Sequence, residues 1–201
     1  MKRIAIIAYG LFTVAGGVLG ATGTRPDSSA ADVAAYDASH HGLIRLLALA
    51  VFGAGLSLAI WTAAARPPRL GFAGGLLASG SLLLSGLTTW TAAQDTAFAR
   101  PFTSLSFAAG AFGFAVPLAL LIAVLARTLE LPRWLAITGY VIAALAALSA
   151  FGMLTSVLYP LIPVGRFGGL VWLVLVSFRK THDYPVSAPP PPSTDGLRPT
   201  V

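Results

Sequence analysis

Cysteine is absent from the 201 residues, which removes disulfides, thiolate metal sites and cysteine nucleophiles together. Charge is nearly as scarce. Thirteen basic and seven acidic residues make up a tenth of the chain, against about a quarter in an ordinary soluble domain. Histidine occurs only at positions 40, 41 and 182. The apolar runs contain no glycine-rich phosphate loop and no acidic pair. These shortages leave little material for acid–base, metal or phosphoryl-transfer chemistry, so the expectation is a non-enzymatic protein with no cofactor.

What the chain has is apolar length. Apolar residues are 56% of the sequence and mean hydropathy is +0.81. A soluble domain of this size cannot hide so much apolar surface, so the bilayer is its solvent. Six runs stand out, at about 4–20, 43–65, 70–90, 102–126, 134–155 and 159–178. They predict an all-α, polytopic transmembrane bundle of six spans within residues 1–180. The first run has a second reading. Lys2-Arg3, an apolar stretch and the small residues Ala21-Thr22-Gly23 also resemble a secretory signal peptide, whose cleavage would leave five spans. Retention is favoured, because the cleavage site is poor and Gly16 and Gly20 are spaced to pack on a neighbour. Residues 181–201 are polar, with a proline block at Pro189–Pro192, and predict a disordered, cytoplasmic, locally polyproline tail.

Basic residues predict the orientation. With the N-terminus inside, Lys2, Arg3, Arg66, Arg69, Arg127, Arg133, Arg179, Lys180 and Arg198 are cytoplasmic, leaving Arg25, Arg45, Arg100 and Arg166 opposite. Nine against four follows the positive-inside rule and makes both termini cytoplasmic. The same scatter argues against nucleic acid, since the basic residues form no patch. Trp61, Trp90 and Trp134 fall at predicted interfaces, as an aromatic belt requires. Eleven of the thirteen basic residues are arginine, and Ala and Gly abound, a composition that suggests a GC-rich bacterial genome.

Arg166 is the strongest polar anomaly. The twelve residues from Phe167 to Phe178 carry no charge, but as a helix they cover only about 18 Å of a roughly 30 Å core. A spanning helix must therefore begin upstream of Arg166 and draw its guanidinium toward hydrocarbon, at a cost of about 3 kcal/mol on insertion scales. Snorkelling, or an ion pair with Asp95 or Asp37, would relieve that cost; an anionic ligand or lipid headgroup is the alternative. Pro160 and Pro163 predict an irregular backbone just before it. In the fourth run Pro117 predicts a kink.

Gly71, Gly75 and Ser79 recur every fourth residue, a small-residue stripe that lets helices approach closely. Asp37, His40 and His41 offer a carboxylate and imidazoles near one helical turn apart, a weak metal candidate without a third ligand. Leu77-Ala78-Ser79-Gly80 resembles the serine motif of rhomboid proteases, but no histidine lies in the last span to act as base, so that reading is rejected. The other hydroxyls of this run, among them Ser85 and Thr89, are expected to bond backbone carbonyls or to cross between helices.

Leu131-Pro132-Arg133-Trp134-Leu135 before a Gly/Ala-rich span, and the closing Phe167-Gly-Gly-Leu-Val-Trp172-Leu-Val-Leu-Val-Ser177 before basic residues, resemble a family of multi-pass integral membrane proteins of unknown function from high-GC Gram-positive bacteria. The resemblance covers the last 70 or so residues. It implies a helical bundle in the bacterial cytoplasmic (inner) membrane and transfers no active site. The leading functional expectation is a protein that packs with or regulates a membrane partner or a second copy of itself. The alternative is a carrier or binding protein for a small amphiphile, lipid or anion that uses Arg166. A membrane-embedded enzyme comes third, and would need His40, His41 and Asp37 to converge with intramembrane hydroxyls.

Overall fold

The computed structural model describes residues 1–21, 23–24, 28–94 and 99–179. The regular elements are helical: α1 (Lys2–Gly20), α2 (Ala30–Ser39), α3 (His41–Ala65), α4 (Arg69–Ala92), α5 (Ala99–Phe107), a π-helical segment (Ala108–Gly113), α6 (Phe114–Thr128), α7 (Arg133–Ser149) and α8 (Leu161–Phe178). Among the described residues six units are long and apolar enough to cross a membrane: α1, α3, α4, the continuous Ala99–Thr128 unit, α7 with its extension to Gly152, and α8. The protein is an all-α, membrane-embedded bundle. Asp95, Lys180 and the proline-rich tail at 181–201 lie outside the described residues.

Burial is inverted relative to a water-soluble protein, and α4 shows it best. Its buried residues are Gly71, Gly74, Gly75, Ala78, Ser79, Leu82, Ser85, Gly86, Thr88, Thr89 and Ala92, while Leu70, Leu76, Leu77, Leu84 and Leu87 are exposed. Leucine outward and small or hydroxyl residues inward make sense only where the surroundings are as apolar as leucine. Small residues then set how closely helices approach. A β-carbon at Gly75 would lie 2.5 Å from the Thr62 side chain of α3, and one at Gly74 would lie 2.8 Å from the Pro117 carbonyl of α6. From the α3 side, Gly55 meets the Ser79 carbonyl in the same way, at 3.0 Å.

Two indoles tie α8 into the bundle. Trp61 donates to Ser177 Oγ at 2.9 Å, and Trp172 donates to the Leu135 carbonyl at 2.8 Å. Trp61 is 1% exposed, so it corrects the expectation of a belt residue: it sits near a helix end but faces the bundle. Trp90 and Trp134 remain exposed.

Backbone irregularities are matched to side chains. Pro117 has no N–H to give the Gly113 carbonyl four residues back, and Ser81 Oγ of α4 donates to that carbonyl at 3.0 Å. The expected disturbance takes the form of the π-helical turn preceding the proline, a device that absorbs a helix defect without breaking the helix. Before α8 the irregularity is a pair of 3-10 turns, Ala150–Met153 and Ser156–Leu158. Pro163 falls in the first turn of α8, where no N–H partner is needed. Arg166 therefore stands on a regular helix.

Between the first two apolar runs, residues 30–39 form a further helix, α2. Ser29 caps it: its Oγ accepts from the Asp32 N–H at 3.1 Å and donates to the Asp32 carboxylate at 2.7 Å. Val33 and Asp37, one turn apart, are its buried residues. An arginine of α5, Arg100, donates to the Ser28 carbonyl and holds the start of α2 down.

Candidate functional site

Six alternating spans bring the C-terminal ends of α1 and α4 together with the N-terminal ends of α3, α5 and α8. These ends, with α2 beside them, enclose a half-open cavity of about 370 Å³. Its walls include Gly20 of α1, Asp37 of α2, Ser85 of α4, Ser106 of α5, and Arg166 and Phe167 of α8. The volume lies within the range of about 300–1,000 Å³ common for small-molecule sites.

Arg166 lies five residues into α8, about 7.5 Å from its start. Its Nε and Nη2 are buried without a hydrogen-bond partner, and its guanidinium carbon stands 5.8 Å from the Phe114 ring centroid. The cation–π contact offsets part of the burial cost, but it leaves the donors unused. The Tyr9 phenol of α1 lies within electrostatic reach. Tyr9 and Thr13, one turn apart, are both fully buried, and the Thr13 hydroxyl is a polar neighbour of the Tyr9 phenol. The sequence signal for this pair was a polar i, i+4 spacing inside the first apolar run.

Asp37 faces the same cavity from α2. It is 4% exposed, and its Oδ2 has no hydrogen-bond partner. Burial raises its pKa above the ordinary carboxylate value, and His41 pulls it the other way. The same cavity is lined by hydroxyls. Ser85 Oγ donates to the Ser106 carbonyl at 2.9 Å, and the Thr89 and Ser106 hydroxyls are 2.5 Å apart. Gly110 leaves room for Ser85, whose Oγ would lie 2.5 Å from a β-carbon there.

The remaining candidates are placed as follows. Gly71 meets Val124 of α6, Gly75 meets Thr62 of α3, and Ser79 Oγ donates to the Gly75 carbonyl at 2.7 Å. The stripe thus serves two neighbours. His40 stacks on Tyr36 at 4.3 Å and shares a 2.8 Å hydrogen bond between its Nδ1 and Ser39 Oγ. His41 opens α3. Among the described residues no three of His, Asp or Glu gather as a metal site would require. A scan against family models finds no match, and searches of curated proteins and of solved structures return none either.

Proposed function

We propose that the protein is a carrier or binding protein for a small amphiphile whose anionic head is held by Arg166. The supporting observation is an arginine that lines a half-open cavity and whose buried Nε and Nη2 have no hydrogen-bond partner. Arginine at membrane depth is expensive unless it meets a carboxylate, a phosphate or water, and among the described residues no acceptor meets those two nitrogens. Hydroxyls and glycines on the walls suit a head group, and Phe167 and Val51 suit the start of a chain. The reading is a binding role and assigns no reaction to the cavity. A protein acting only by packing on a membrane partner or a second copy would have no need of a charged internal cavity, and that reading therefore stands second.

The bilayer we infer is a bacterial cytoplasmic membrane, with both termini cytoplasmic and the cavity at the opposite face. The basic hairpins Arg66–Arg69 and Arg127–Arg133 support this orientation.

Thermal unfolding in dodecyl maltoside tests the binding reading with three water-soluble probes: hexyl phosphate, hexanol and hexyltrimethylammonium. Hexyl phosphate should raise the midpoint in a concentration-dependent way, because a ligand of the folded state stabilises by mass action. The other two should not, and Arg166→Gln should abolish the shift. Equal shifts with hexanol, or a full shift in Arg166→Gln, would contradict it.

A further inference from the structure

The anionic reading of Arg166 leaves Asp37 unexplained. A carboxylate that is 4% exposed, with one oxygen unpartnered, is as costly a feature as the arginine. The obvious relief is a salt bridge between the two, and the fold does not make it. The charged or titratable neighbour of Asp37 is His41, and that of Arg166 is Tyr9. The two side chains come from different elements, α2 and α8, and meet only as walls of one cavity. The hydroxyls of Ser85, Thr89 and Ser106 that share the cavity are polar and carry no charge.

A cavity with a guanidinium on one wall and a carboxyl group on another is complementary to a ligand carrying an anionic group and an ammonium. We propose that the cavity takes a zwitterionic head, with an anionic group on Arg166 and an ammonium on Asp37. This rests on the anion reading of Arg166 given above and narrows it to one class. Both charges then find partners in a site of low dielectric, where such contacts are strongest. A simple anion would satisfy Arg166 and leave Asp37 buried and repelled. A simple cation would do the reverse. The class covers a phospho-amine lipid head and the same head free in solution.

The test compares hexyl phosphate with hexyl phosphoethanolamine, whose primary ammonium can donate to Asp37, and hexyl phosphoethanolamine with free phosphoethanolamine, by titration calorimetry on the full chain in dodecyl maltoside. The zwitterion should bind about tenfold more tightly than the phosphate, as one extra charged contact implies. Asp37→Asn should bring the two within about twofold, and Asp37→Lys should invert the preference. Wild-type probe comparison needs no variant to fold, and gel filtration checks the variants. Equal binding of both alkyl probes in the wild type, or an advantage that survives Asp37→Asn, would overturn the zwitterion and leave the anion reading standing. Failure of every probe to bind would overturn both. Free phosphoethanolamine binding as tightly as its hexyl form would keep the zwitterion and overturn the amphiphile.

Discussion

Asp37 of α2 and Arg166 of α8 line one cavity, yet each keeps polar atoms without a hydrogen-bond partner. Opposite charges that share a cavity without pairing tell more about function here than either residue does alone. Their separation is set by the scaffold. α2 is fixed at its start by the Ser29 cap and by Arg100 on the Ser28 carbonyl, and α8 is fixed by Trp172 on the Leu135 carbonyl.

The Asp37 carboxyl gives a pH signature of folding. Its pKa in the fold is raised above the unfolded value of about 3.9. Between those two values the folded state binds more protons, so stability falls as pH rises through that window. The slope cannot exceed about 1.4 kcal/mol per pH unit for one proton. Unfolding midpoints measured from pH 4 upward should show this decline in the wild type and a flatter profile in Asp37→Asn. An identical profile in both would show that Asp37 is not desolvated.

Close approach at Gly75 predicts an asymmetry between two substitutions on α4. Gly75→Leu must displace Thr62 and with it α3, an overpacking that costs about 1–3 kcal/mol or more. Leu83→Ala trims a half-buried side chain and should cost less. Yield of monodisperse protein and detergent unfolding midpoints would compare them. Gly75→Leu equal to wild type would remove the α3–α4 contact from the account.

The Trp61–Ser177 bond separates losing a hydrogen bond from stranding a donor. Ser177→Ala leaves the buried indole N–H without its acceptor, at about 1–3 kcal/mol. Trp61→Phe removes the donor itself, while Ser177 keeps its bond to the Leu173 carbonyl at 2.6 Å. Combining the two should therefore cost less than the sum of the single changes, as measured by a double-mutant cycle in thermal unfolding. Strict additivity would contradict the contact.

Much of the bundle was legible because its signals are local. Apolar length and paired prolines at Pro67–Pro68 locate helices and hairpins without reference to any partner. The π-helical turn was visible only as Pro117, since its form depends on Ser81 from another helix reaching Gly113. The burial of Trp61 was hidden for the same reason: depth in a membrane is read from helix length, but facing is decided by neighbours. α2 was missed because a short helix with two buried residues carries almost no periodicity, though Ser29-x-x-Asp32 was a usable start signal. Arg166 stood out by its cost. Its sharing of a cavity with Asp37 is a long-range relation that no spacing encodes.

Orientation is open to a direct check. A reporter active only in the cytoplasm should work when fused after Arg179, and one active only outside should work when inserted next to Ser29. Activity on the opposite side in both would reverse the bundle while leaving the cavity intact.

Whether Arg166 anchors an anion can be read from the guanidinium itself. The Nε–H resonance of Arg166, assigned by its loss in Arg166→Gln, should shift saturably as hexyl phosphate is titrated into the ¹⁵N-arginine-labelled protein, and should stay in place with hexanol. A resonance that does not move with hexyl phosphate, or that moves equally with hexanol, would contradict the account.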